Sequence, residues 1–145
     1  MRLVYQWAMA GGPWEEVLAQ SMEDVRLNPL DLLYVKDTME GVQAYIDQID
    51  SYITQMSRSW RIERMAKVDL AVLRVATYEL CFRQDIPDSV AINEAVELSK
   101  RYSAPEASAF VNGILSSLVK SRDAGELKSA AQMQQASRDA QQKEQ

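Results

Sequence analysis

Apolar residues recur every three or four positions along most of this chain, the spacing of one buried helix face. The longest run is Leu32, Val35, Met39, Val42, Ile46, Ile49 and Ile53. It predicts one amphipathic helix from an Asn28 cap and a first-turn Pro29 to about Thr54. Upstream, Leu3, Val4, Trp7 and Ala8 show the same spacing. Gly11 and Gly12 close that segment, and Pro13 opens a second helix from Trp14 to about Val25. Nothing ahead of Leu3 can cap the first helix, so it is expected to have lost its opening turns.

Ser57 to Met65 reads as a polar connector with a short turn around Trp60 and Ile62. Val68 to Phe82, VDLAVLRVATYELCF, is apolar nearly all the way round, which predicts a helix surrounded by others at the centre of a bundle. Pro87, Asp88 and Ser89 start the next helix, with Ala91, Ile92, Ala95, Val96 and Leu98 as its stripe to about Tyr102. Ser103-Ala104-Pro105-Glu106 opens the last one, the serine as cap and the proline and acid in the first turn. Its buried face is Phe110, Val111, Ile114, Leu115 and Leu118, and it is expected to end near Lys120; Gly113 is read as allowing close helix packing. Beyond Ser121 only Leu127 and Met133 are apolar anchors, and glutamine is frequent. No strand-like alternation occurs. The expectation is an all-α, compact bundle of six or seven helices over residues 1–120, followed by a polar, Gln-rich tail over 121–145.

Composition narrows the chemistry. The 145 residues include no histidine and one cysteine, Cys81. That excludes His-ligated metals, histidine-based nucleophile relays, an internal disulfide and a cysteine-cage zinc site. No apolar run reaches the ~18 residues of a membrane span, so the chain is expected to be soluble and cytoplasmic. The net charge of −5 is uneven. Trp14 to Asp50 holds nine acids against two bases, whereas Arg58 to Arg83 holds six bases against three acids. The plain reading of such a run is a solvated face; the functional one is contact with phosphate. Arg74 and Glu79, charged positions in the central helix, need partners there, and Glu94 or Glu97 of the following helix is the expected partner for Arg74.

Asp69, the LRVATYEL stretch (Leu73 to Leu80), INEAVELSK (Ile92 to Lys100) and FVNGIL (Phe110 to Leu115) occur in order. In these markers and their spacing the chain resembles the NusB family of transcription antitermination factors. The similarity is strong from about Arg61 to Lys120, weaker but collinear from Tyr5 to Met56, and absent from the tail. The resemblance implies an RNA-binding helical protein that pairs with ribosomal protein NusE, binds the single-stranded boxA element of ribosomal RNA transcripts, and joins the antitermination complex on RNA polymerase. It implies no catalysis, metal or cofactor. The family includes monomers and dimers, which leaves a homodimer open.

Carried onto this chain, the resemblance places Glu63, Arg64 and Asp69 toward NusE, and Arg2, Tyr5, Glu106 and Phe110 toward RNA. Each has a plainer alternative. Asp69 in a helix first turn also complements the helix dipole, and Phe110 also fits a core stripe as well as a base-stacking role. Family members carry an arginine-rich run ahead of the first helix, where this chain has only Arg2, so the N-terminus is expected to be shortened relative to the family. Three functions therefore compete: an antitermination factor binding RNA and NusE; a NusB-fold interaction module with weakened RNA binding; and an accessory domain like those of ribosomal RNA cytosine methyltransferases, which would need a downstream catalytic domain.

Overall fold

In the computed structural model the described residues are 29–57, 62–83 and 85–128, with 135, 138–139 and 141–142. They form five α-helices and a short 3-10 turn: α1 (Pro29–Ala44), α2 (Ile46–Met56), the turn Ile62–Arg64, α3 (Lys67–Phe82), α4 (Asp88–Tyr102) and α5 (Ala107–Asp123). The two helices expected ahead of Asn28 lie outside the described residues.

The stretch expected as one helix is two. Tyr45, at φ −109° and ψ 20°, separates α1 from α2. The ladder is bent rather than abandoned there, because Tyr45 N–H still donates to the Gly41 carbonyl at 3.0 Å and Ile49 N–H to the Tyr45 carbonyl at 2.8 Å. The apolar stripe runs on through the bend: Met39 and Val42 on one side and Ile49 and Ile53 on the other are all buried. The bend lets one continuous stripe wrap around a neighbour, and that neighbour is α3.

α3 is the central helix, touching each of the other four. Its residues Val72, Leu73, Val75 and Ala76 are buried, as the all-round apolar pattern requires. Ala91 and Ala95 of α4 are fully buried, and so are Val111, Leu115 and Leu118 of α5. Small side chains on α4 let it lie close to its neighbours, while the larger ones on α5 fill the space between. At Gly41 a methyl group would fall on the Tyr78 ring, so only glycine lets α1 approach α3 this closely. Gly113 is the reverse case: it is exposed and its missing side chain faces open space, so the close packing expected at that position does not occur.

The last helix also differs from its expected limits. Pro105 and Glu106 form a turn before it, with Ala107 N–H donating to the Ala104 carbonyl at 3.0 Å, rather than its first turn. Its other end passes Lys120 and reaches Asp123. Gly125, at φ 71°, then reverses the chain: Gly125 N–H donates to the Arg122 carbonyl and Glu126 N–H to the Ser121 carbonyl, a glycine-dependent helix stop. Leu127 returns to pack against the core. The Gln55 side chain meets the Lys128 backbone in both directions, Nε2 donating to the carbonyl at 2.8 Å and the Lys128 N–H to Oε1 at 3.0 Å.

A candidate interaction end on the three-helix hairpin

Short connections over 83–87 and 103–106 make α3, α4 and α5 antiparallel neighbours. One end of this hairpin is fastened by Arg122, near the finish of α5. Its Nη1 donates to the Leu80 carbonyl at 2.8 Å and to Asp88 Oδ1 at 2.9 Å, and its Nη2 donates to Asp88 Oδ2 at 2.7 Å. Leu80 lies near the end of α3 and Asp88 opens α4, so the single guanidinium ties three helix termini. These hydrogen bonds hold the Asp88 carboxyl below its ordinary value. Arg122, Leu80 and Asp88 also line a cleft of about 370 Å³. Burial pushes the Cys81 thiol beside it up to about 11, so that sulfur stays protonated near neutral pH.

The fastening defines what lies at the other end. The start of α3 with Asp69, the last turn of α4 with Lys100 and Arg101, and the start of α5 with Glu106 and Phe110 must share it. The 3-10 turn bearing Glu63 and Arg64 leads directly into α3. Residues from two distant parts of the sequence, Glu63, Arg64 and Asp69 on one hand and Glu106 and Phe110 on the other, thus come to one end of the bundle. Arg2 and Tyr5 lie outside the described residues.

Their environments differ. Glu63 and Arg64 are exposed, on a turn anchored by the half-buried Ile62 and Met65, which pack on the core. Asp69 is only 9 % exposed, and its Oδ1 is buried with no hydrogen-bond partner among the described residues. A buried oxygen left this way costs about 1–3 kcal/mol. A helix first turn offsets part of that through its dipole, but no hydrogen bond of a cap satisfies this atom. Glu106 is exposed. Phe110 is half-buried and packs against the core.

Among the described bases of Arg58 to Arg83, Arg74 and Arg83 are paired within the fold. Arg74 pairs with Asp50 of α2 at 2.8 Å, not with Glu94 or Glu97, both of which are exposed. Arg83 pairs with Asp37 at 3.2 Å and Asp85 at 2.7 Å. Of the bases in that segment, Arg64 and Lys67 are the exposed ones among the described residues. Lys100 and Arg101 add charge at the same end, with Glu97 3.7 Å from Lys100. Arg101 and Tyr102, the latter 39 % exposed, were not singled out from the sequence. The available signal for Arg101 and Tyr102 was their place in the final turn of a helix whose stripe had already ended at Leu98.

Comparisons with known proteins place this architecture. The sequence profile of the NusB family matches residues 1–120. The transcription antitermination protein NusB of Acetivibrio thermocellus is 46 % identical over 120 residues, covering 83 % of each chain. Among solved structures, a NusB from T. maritima superposes with a TM-score of 0.74 at 32 % identity, over 82 % of this chain and 84 % of that one. A second, described as antitermination factors NusB and NusE in complex with dsRNA, gives 0.71 at 28 % identity, over 82 % and 89 %. On the family match over residues 1–120 and the 46 % identity across 83 % of each chain, the chain belongs to the NusB family.

Proposed function

We propose that this protein is a cytoplasmic transcription antitermination factor that binds boxA-type single-stranded RNA together with ribosomal protein NusE and acts within the RNA polymerase antitermination complex, with no catalytic step of its own. Asp69 carries the reading at the level of residues: a nearly buried carboxylate with an unsatisfied oxygen, at the end of the bundle where Glu63 and Arg64 are exposed. A donor from NusE would complete it. The name of the Acetivibrio thermocellus relative supports the antitermination role, and the solved complex of NusB and NusE with dsRNA supports NusE and RNA as partners.

On this reading Glu63, Arg64 and Asp69 face NusE, while Arg2, Tyr5, Glu106 and Phe110 belong to the RNA side. Arg64, Lys67, Lys100 and Arg101 are a modest cationic supply, interleaved with Glu63, Glu97 and Glu106. RNA binding by the chain alone is therefore weak and salt-sensitive, and NusE supplies much of the remaining affinity.

The test is boxA RNA binding by fluorescence anisotropy, with and without NusE, alongside calorimetry of NusE with Asp69→Ala. The expected results are tighter RNA binding in the complex and a NusE affinity lowered by about 2 kcal/mol in the mutant, as for a truncated central interface contact. Equal NusE affinity for mutant and parent would remove Asp69 from the interface. RNA binding that is tight without NusE and indifferent to salt would overturn the shared-recognition reading.

A further inference from the structure

The end of α3 farthest from Asp69 presents a second surface. Phe82, its final residue, is the hub of an aromatic stack. Tyr45 lies on it with ring centroids 4.5 Å apart and planes within 10°, and Tyr52 and Tyr78 flank it at 6.3 and 6.0 Å. Tyr45 is 48 % exposed, so Phe82 supports one side of its ring while much of the rest meets solvent. The bend between α1 and α2 is what carries this tyrosine outward.

The stack is bordered by carboxylates. Tyr78 donates its hydroxyl to Asp37 at 3.4 Å, and Arg83, next to Phe82, pairs with Asp37 and Asp85. The side chains of those two acids are 61 % and 64 % exposed. Asp47, two residues past Tyr45, and Glu40 on α1 are exposed as well. The bases nearby are Lys36, which is exposed, and Arg83, whose charge is shared between two acids. The surface is thus aromatic and net negative. It repels a polyanion and suits a planar cation that can lie over a ring while its edge meets a carboxylate. Phe82 lies about 20 Å along α3 from Asp69, at the helical rise per residue, so the two surfaces are separate.

We propose that the Tyr45–Phe82 stack, with Asp37 and Asp85 beside it, is a docking surface for an arginine-bearing basic segment of a protein partner. An arginine guanidinium covers the outer face of Tyr45 and turns its edge to the flanking carboxylates.

The experiment titrates the isotope-labelled full chain with an oligoarginine peptide, an oligolysine peptide and oligouridylate RNA, following backbone amide resonances. Oligoarginine is expected to move the resonances around Tyr45, Phe82 and Asp47 and to bind more tightly than oligolysine. Tyr45→Phe keeps the affinity, whereas Tyr45→Ser lowers it by roughly threefold or more, the scale of an exposed cation–aromatic contact. Asp37→Asn, which removes a flanking charge and keeps a polar group facing Tyr78, lowers it as well, so a loss of folding in the serine variant does not decide the outcome. Failure of oligoarginine to bind, equal affinity for Tyr45→Ser, resonance changes centred on Asp69, or Tyr45-dependent binding of oligouridylate at this face would each overturn the proposal. NusE calorimetry with Tyr45→Ser is expected to match the parent, so this surface fails or stands independently of the Asp69 interface.

Discussion

Arg74 and Asp50 meet across the contact between α3 and α2 as two matched forks: Nε donates to Oδ1 and Nη2 to Oδ2, each at 2.8 Å. Their side chains are 28 % and 27 % exposed, so the pair sits between the surface case, worth little, and the buried case, costly to break. Removing either partner is expected to cost about 1–3 kcal/mol. Urea titration of Arg74→Ala, Asp50→Ala and the double mutant checks this, because the double mutant should cost less than the two singles added. Arg74→Lys should recover little, since a point cation cannot fill both positions of the fork.

Two glycines in helix interiors are expected to respond oppositely to alanine. Such a change ordinarily stabilises a helix by about 0.5–1 kcal/mol, and Gly113→Ala, facing open space, should do so. Gly41→Ala drives a methyl into the Tyr78 ring, which is only 6 % exposed and stacked near Phe82. It should destabilise by about 1–3 kcal/mol, as overpacking does. Thermal melts of the two variants that shift in the same direction would contradict this account of α1 packing on α3.

Asp88 makes stability depend on pH in a defined direction. Its folded pKa is depressed, chiefly by hydrogen bonds from Arg122, so its contribution is present above the unfolded value of about 4 and is lost as pH falls through the lower folded value. Because the side chain is 41 % exposed, solvent screening limits that contribution to about 1 kcal/mol or less. Asp88→Asn should therefore be less stable than the parent at neutral pH, with the gap closing below about pH 4. A gap that persists unchanged into acid would mean the carboxylate charge is not what matters.

The segment after α5 belongs partly to the body. A chain ending at Lys128 is expected to melt like the full protein. One ending at Ala124 loses the glycine stop, the packing of Leu127 and the paired hydrogen bonds of Gln55 with Lys128. That loss should amount to about 1–2 kcal/mol, readable by chemical denaturation of the two truncations.

Where burial and periodicity agree, the sequence was a good guide. The predicted Val68 to Phe82 differs by one residue from the observed Lys67–Phe82, and the residues of its stripe lie in the core as the pattern demands. The bend at Tyr45 was invisible because Val42, Ile46, Ile49 and Ile53 keep their spacing through it. Periodicity records which face is buried and says nothing of a change in axis direction. The partner of Arg74 was missed because Asp50 lies 24 residues upstream, and only packing of α2 on α3 brings the two together. Gly113 was misread for a related reason: a glycine within a helix signals that a side chain is absent, but only the fold reveals whether a neighbour fills the space. Of the candidate site, Asp69 was legible as a first-turn acid, whereas its near-complete burial was not.

The guanidinium of Arg122 gives the hairpin an uneven rigidity. Where it binds, opening any one of three helix termini means giving up charge-assisted hydrogen bonds. At the far end the ion pair among the described residues is the looser contact of Lys100 with Glu97. Local opening is cheapest where fewest such contacts must break. Backbone amides near Asp69 and Phe110 should therefore exchange with solvent faster than those near Leu80 and Asp88, which would make the end proposed to meet NusE the more yielding one.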